Sequence, residues 1–272
     1  MPNENVLADG LSGWALILGV SSGFGAATAR TVAAAGMDVL GVHLDRRSTL
    51  PAAQALRDEI EALGRHVEFF NVNAADPLKR SQVVNHVKNR VVDGGSRHLR
   101  LFMHSLAFGT LKPFTKGSSS TRIEQRQIEM TLDVMANSLV YWTQELCEAG
   151  LIGDGSRVLA MTSEGSRRAL PEYGAVSAAK AALESHVRQL ALELAPSGAT
   201  VNAILAGVAD TPALRKMPGH EAIMERARKR NPHGRLTRPE DVASAIAALT
   251  QSACGWITGT TIRVDGGEHL SG

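Results

Sequence analysis

Aromatic residues make up only 4% of the chain, too few to furnish the ring platforms on which single-stranded nucleic acid stacks. Neither sign of charge dominates. Lys and Arg number 29 against 27 Asp and Glu, and the net charge of +2 is too mild for a nucleic-acid surface, so no such partner is expected. The two cysteines, Cys147 and Cys254, form no metal-like or disulfide-rich pattern, which points to a reducing compartment. The histidines show no ligand spacing such as H-E-x-x-H, and no metal is expected. No apolar run approaches the ~18 residues of a spanning helix, so no membrane contact is expected. Residues 1–10 are polar and acidic and read as a short tail rather than a targeting segment. These absences together lead to a cytoplasmic expectation.

What is present is an alternation of apolar runs and helical patterns. With 272 residues, 44% apolar and 21% charged, the chain has the size and composition of one globular domain covering residues 1–272. Strands are expected near 14–18, 38–44, 66–71, 99–104, 157–163, 200–204 and 260–264. Helices are expected near 24–35, 51–63, 77–92, 122–149, 173–195 and 239–251, with Pro51, Pro77 and Pro239 in first turns, where a missing N–H costs nothing. This predicts the α/β class: a doubly wound, Rossmann-type, seven-stranded parallel sheet with helices on both faces. Gly117-Ser118-Ser119-Ser120 reads as a flexible loop. The stretch 206–235 breaks the alternation with prolines and basic residues, and its place past a strand's carboxyl end suggests a substrate-binding flap.

Two motifs carry chemistry. Gly19-Val20-Ser21-Ser22-Gly23-Phe24-Gly25 lies between an apolar strand and a helix opening. Glycines there let a backbone approach a pyrophosphate, which would rest on free amides at the helix N-terminus. A glycine-rich turn alone is weak evidence, but this placement favours nucleotide binding. The second motif is Tyr173-Gly-Ala-Val-Ser-Ala-Ala-Lys180. A seven-residue step is close to two helical turns, so both side chains share a face. A lysine cation beside a phenol would lower its pKa and make it a better proton donor to a developing oxyanion. Many oxidoreductases use a four-residue step, and that position here is Ser177. The longer step shifts the tyrosine by about 4.5 Å along the axis, which suits a conjugated enone or enoyl thioester. Taken alone, the pair is equally an ordinary surface tyrosine and a helix lysine.

With these motifs the chain resembles the short-chain dehydrogenase/reductase superfamily over nearly its whole length. Residues 202–211, N-A-I-L-A-G-V-A-D-T, look like its nicotinamide-contact strand and loop, and residues 260–267, T-T-I-R-V-D-G-G, like its terminal strand and turn. Met103-His104-Ser105-Leu106-Ala107 and the Tyr-x6-Lys spacing are similar to the enoyl-acyl-carrier-protein reductase branch. Met135 stands where ketone-reducing members place an asparagine, and D-T-P-A-L-R-K-M-P looks most like the NADPH-dependent third class.

The resemblance implies reduction of trans-2-enoyl thioesters, on acyl-carrier protein or coenzyme A, in fatty acid biosynthesis, by a homotetramer. Catalysis is assigned to Tyr173, Lys180 and Ser163, the last with an uncertain share. Cofactor contacts are assigned to Gly19, Ser21, Ser22, Gly23, Phe24, Gly25, Arg46, Arg47, Asn73, Ala74, His104, Ser105, Lys180, Val208 (through its backbone) and Thr211. For Asn73 the plain alternative is a turn-forming residue. Cofactor choice turns on Gly41-Val-His-Leu-Asp-Arg-Arg47. His43 holds the strand-end position where an acidic residue would bind ribose hydroxyls, and Arg46 and Arg47 can bind phosphate. NADP(H) is favoured. Asp45 and the absence of an arginine at Ser22 keep NAD(H) as the alternative. Two other readings stay open: a 3-oxoacyl or other carbonyl reductase of the superfamily, against which Met135 and the tyrosine spacing speak, and a non-catalytic dinucleotide sensor, which would be expected to have lost the Tyr–Lys pair. The basic run Arg226, Arg228, Lys229, Arg230 is a candidate dock for an acidic carrier protein, or simply a solvated helix face.

Overall fold

Five successive apolar residues form strand β1, Trp14–Leu18, and all five are buried. A strand of this kind needs cover on both faces, as parallel sheets provide. The computed structural model describes residues 10–115 and 121–270, so the serine-rich loop at 117–120 and nearly all of the N-terminal tail lie outside the described residues. Strands β2 (Asp38–His43), β3 (Val67–Asn71), β4 (Leu101–His104), β5 (Arg157–Thr162), β6 (Thr200–Ala206) and β7 (Thr261–Val264) join β1 in one seven-stranded sheet of order β3-β2-β1-β4-β5-β6-β7. Every pairing is parallel. Side chains alternate between two cores: Trp14, Leu16 and Leu18 face one, and Ala15 and Ile17 face the other.

Helices α1 (Gly23–Ala34), α2 (Leu50–Ala62) and α3 (Pro77–Asp93) connect the first four strands. Helix α3 starts where it does because Asp76 accepts hydrogen bonds from the amides of Leu78 (2.9 Å) and Lys79 (3.1 Å), with Pro77 at its first position. The sheet reverses its winding between β1 and β4, and a cleft opens there at the carboxyl ends of the strands.

The helix expected over 122–149 is interrupted. Helix α4 (Gln125–Leu132) passes into a π turn at Asp133–Asn137 before α5 (Ser138–Glu148). Ser138 Oγ donates to the Val134 carbonyl at 2.8 Å, a back-bond that disturbs the regular ladder. Helix α6 (Gly174–Leu194) follows β5. The stretch read as irregular over 206–235 contains two helices, α7 (Pro212–Arg215) and α8 (His220–Arg230), and α9 (Pro239–Thr250) precedes β7. Among the described residues no helix is long and apolar enough to cross a membrane.

Candidate active site

The glycine turn leaves β1 with no room for side chains. A Cβ on Gly19 (φ +83°) would lie 2.4 Å from the Ser105 carbonyl oxygen, and one on Gly25 would lie 2.1 Å from the Gly19 oxygen. Backbones of β1 and β4 thus nearly touch at the switch point. The amides of Gly23, Phe24 and Gly25, at the start of α1, make no hydrogen bond within the described residues. They point positive dipole ends at the cleft, which fits a pyrophosphate. Ser22 is exposed at the N-cap and bonds nothing with its side chain.

At the end of β2, Asp45 is the fixed feature. Its backbone is clasped by Asn71, which accepts from the Asp45 amide at 2.9 Å and donates to its carbonyl at 3.0 Å. His43 Nδ1 sits 2.8 Å from its carboxylate. Burial pushes the Asp45 carboxyl up, but hydrogen bonds from Ser21, Thr49 and His43 outweigh this and hold it below the usual carboxylate range. A charged carboxylate therefore lies beside Ser21 of the glycine turn. The guanidinium groups of Arg46 and Arg47 are exposed and bond nothing among the described residues. Asn73 is an exposed turn residue whose Oδ1 accepts from the Ala75 amide at 3.0 Å. Ala74 is buried, and its carbonyl takes the Trp142 indole N–H at 2.8 Å.

Tyr173 is the N-cap of α6, and Lys180 lies two turns on, facing the same way. The tyrosine ring stacks on Gly165, where a Cβ would lie 2.5 Å from Cε1. Gly165 is pinned in turn by Ser177 Oγ, which donates to its carbonyl at 2.5 Å. Glu172, just before the tyrosine, has φ +59°, a left-handed conformation that costs a non-glycine residue energy and sets the ring's entry angle. Lys180 is buried, with Nζ donating to the Met161 carbonyl at 2.8 Å and, at 3.5 Å, to that of Leu106. Burial lowers the lysine to about 8, with the Glu184 carboxylate opposing. Glu184 is held by Thr162 Oγ1 (2.8 Å) and Ser166 Oγ (2.7 Å).

Three expectations need correction. Lys180 does not govern the tyrosine's acidity: burial pushes the Tyr173 phenol up, and the opposing influence is Ser163. Ser163 Oγ is sealed from solvent beside the phenol, whose acidity it raises by hydrogen bonding, and closes no bond of normal length among the described residues. His104 does not face the cofactor cleft with its ring. It has no exposed surface, and Nε2 lies 2.8 Å from Ser138 Oγ. The Ser138 hydroxyl already donates to Val134, so it accepts from His104, and the ring proton is assigned to Nε2. Nδ1 is left without a partner, and burial with the nearby Lys180 charge lowers this imidazole to about 3. Ser105, by contrast, borders the cleft through its carbonyl against Gly19.

The third correction concerns Val208. Its amide donates to Glu268 Oε2 at 2.9 Å, and its carbonyl accepts from the Thr237 amide at 3.1 Å. The amide is thus taken, and the carbonyl keeps one lone pair for a carboxamide. The next residue, Ala209, is 5% exposed and has no hydrogen bond on either backbone group among the described residues. It fits that task better, and no feature of the local sequence separates the two. Thr211 caps α7 by accepting from the Leu214 amide at 3.2 Å, and its methyl lies 3.4 Å from where a Gly23 Cβ would be. The loop after β6 therefore closes over the glycine turn. Met135 sits in the π turn, buried, with Sδ 3.0 Å from a Cβ position on Gly109. Glycine cradle, free amides, carboxylate and unpartnered Ala209 together fit a nicotinamide dinucleotide.

Comparison with known proteins agrees. The chain is 34% identical over 174 residues to an enoyl-[acyl-carrier-protein] reductase [NADH] of Aquifex aeolicus, a match covering 64% of this chain and 63% of that protein. The chain thus spans less than two thirds of that relative in the match. It is 30% identical to a 3-oxoacyl-[acyl-carrier-protein] reductase of Synechocystis, over 93% of this chain and 95% of that one. A short chain dehydrogenase from Burkholderia cenocepacia, solved in complex with NADP, superposes with a TM-score of 0.80 at 27% identity, covering 94% of this chain and 98% of its own. Residues 19–269 match the family described as enoyl-(acyl carrier protein) reductase. This stretch runs from the first glycine of the cradle to the turn after β7, and the chain belongs to that family, an oxidoreductase branch of the short-chain dehydrogenase/reductase superfamily.

Proposed function

We propose that this protein reduces the carbon–carbon double bond of a trans-2-enoyl thioester, carried on acyl-carrier protein or coenzyme A, in fatty acid biosynthesis. The observation that carries this reading is the seven-residue step from Tyr173 to Lys180, with Met135 in place of an amide side chain in the adjoining π turn. A reduced nicotinamide, when bound, supplies a hydride for the β-carbon. As charge moves onto the thioester oxygen, Tyr173 donates a hydrogen bond to it and stabilises the enolate. Burial keeps the phenol protonated, so it acts as a donor. Lys180, anchored by Met161 and more loosely by Leu106, keeps one further N–H to hold the dinucleotide's ribose and adds positive charge near the oxyanion. Ser163, beside the phenol, would orient the thioester. The enolate then takes a proton from water at its α-carbon, which completes the addition of hydride and proton across the double bond.

Of the two dinucleotides, we place NADH ahead of NADPH, reversing the order that Arg46 and Arg47 suggest. Asp45 is a fixed, charged carboxylate beside Ser21, suited to a ribose diol and repulsive to a 2′-phosphate, whereas the two arginines are free to swing. The flap of α7 and α8 would cover the substrate, and α8 would dock the acidic carrier. Arg228 and Lys229 share Glu225, which leaves Arg226 without a carboxylate among the described residues. A homotetramer is the expectation that the resemblance carries, and a cytoplasmic place is the one that the sequence composition carries.

The enclosed Ser163 hydroxyl favours one competing reading, a 3-oxoacyl reductase, in which a serine polarises the ketone. Ser163→Ala separates them. An enoyl reductase should lose less turnover through it than through Tyr173→Phe. Loss of ketone reduction in Ser163→Ala, with no enoyl activity in the parent, would establish the carbonyl reductase.

A further inference from the structure

We propose that Glu268, in the turn after β7, is a positioning residue that sets the nicotinamide end of the dinucleotide site by holding the loop that follows β6. The inference rests on dinucleotide binding at this cleft and not on the enoyl reaction. Glu268 is 8% exposed, and its Oε2 accepts the Val208 amide at 2.9 Å. On the other side of the same loop, the Thr237 amide donates to the Val208 carbonyl at 3.1 Å. The segment between these jaws has no room to shift: a Cβ on Gly207 would lie 2.2 Å from Thr237 Oγ1 and 3.0 Å from Glu268 Oε2. Ala209, with its two unpartnered backbone groups, is the next residue. Its orientation, and that of Thr211 beyond it, follows from how Val208 is gripped.

The turn that presents Glu268 is itself tied to the other loops around the cleft. Arg263 Nη1 lies 2.7 Å from Glu164, the neighbour of Ser163. Asn231 Nδ2 donates to the Asp265 carbonyl at 3.0 Å, and an Arg230 Nη donates to the Glu268 carbonyl at 3.3 Å, which join the end of α8 to the turn. Asp265 also holds His269 at 2.6 Å. The chain's last strand thereby frames residues that lie sixty and a hundred positions earlier.

This grip should depend on charge. Burial pushes the Glu268 carboxyl above its usual value, the Val208 amide and Arg230 oppose this, and Asp265 and Glu164 add to it. The other charged or titratable groups of this region are Arg263 and His269 in its own segment and His233 against Gly266. An amide donates more strongly to a carboxylate than to a protonated carboxyl. As pH falls through the raised value, the Val208 bond weakens, and with it the dinucleotide site.

The test reads binding rather than turnover. Dissociation constants for NADH and for NADPH are measured by fluorescence titration from about pH 8 to about pH 5, for the full chain, Glu268→Gln and Glu268→Ala, with melting temperatures alongside. Glu268→Gln keeps an acceptor and cannot titrate, so it should flatten the acid rise in dissociation constant that the parent shows. Glu268→Ala should weaken binding by about tenfold or more near pH 8, the usual range for a hydrogen bond to a charged group, and the gap to the parent should narrow as pH falls. If the alanine protein does not fold, the glutamine profile decides. An unchanged acid limb in Glu268→Gln, or parent-like affinity in a folded Glu268→Ala, would overturn the proposal. A parent that binds dinucleotide through Glu268 yet reduces no enoyl thioester would overturn the reaction assigned above and leave Glu268 in its role.

Discussion

Tyr173 has a single task, to meet negative charge that exists only during reaction, whereas Lys180 has two, and their substitutions should differ accordingly. Tyr173→Phe should lower turnover by about 10²–10³ with little change in dinucleotide affinity, because the phenol acts on the transition state. Lys180→Ala should lower turnover and also raise the dinucleotide dissociation constant; steady-state kinetics with fluorescence titration separate the two. The lysine's own titration gives a pH signature. Its pKa falls from 10.5 to about 8 in the fold. The cation it contributes is thus lost as pH rises through about 8, and turnover should decline over that limb. Between those values the unfolded chain holds a proton that the folded chain does not, so stability should rise with pH there while activity falls. Asp45 carries the cofactor prediction: Asp45→Asn should improve the ratio of kcat/KM for NADPH to that for NADH, and an unchanged ratio would remove Asp45 from cofactor choice.

The π turn between α4 and α5 is held by a chain of hydrogen bonds from His104 through Ser138 to the Val134 carbonyl. Ser138→Ala would leave the buried His104 Nε2–H unpaired and should cost about 1–3 kcal/mol in urea denaturation. The imidazole falls from 6.5 to about 3 on folding, so stability is fully present above 6.5 and lost as pH falls toward about 3. His104→Gln should shallow that acid limb. None of this element was legible in sequence, because Gln125–Leu132 and Ser138–Glu148 read as one helix and the break depends on a strand residue reaching across. The flap helices α7 and α8 were hidden differently. Prolines and a basic run read as irregular, while the structure caps α7 with Thr211 and opens α8 after Gly219 at φ +68°. The strands, by contrast, were plain, since a parallel strand buried on both faces is written as an unbroken apolar run such as Val158–Met161.

At the scale of the whole molecule, residues from segments far apart in sequence meet at the carboxyl ends of the strands, and a sequence shows only those that lie on a motif. Gly19, Gly25, Tyr173 and Lys180 were visible because their spacing has a geometric meaning. Gly165, Ser177 and Glu268 were not, since each matters through a partner away along the chain, and Ala209 was not, since only the fold leaves its backbone groups unpaired among the described residues. Charge reversal at Arg226 and Arg228 should slow acyl-carrier substrates more than the matching coenzyme A thioesters, and added salt should shrink the difference. Equal slowing of both would move the docking site elsewhere. Which bond is reduced is decided by initial rates of NADH and NADPH oxidation with crotonyl thioester, set against acetoacetyl thioester under the same conditions. The crotonyl substrate should be reduced much the faster, with whichever dinucleotide serves better; faster reduction of the acetoacetyl substrate would contradict the enoyl reading.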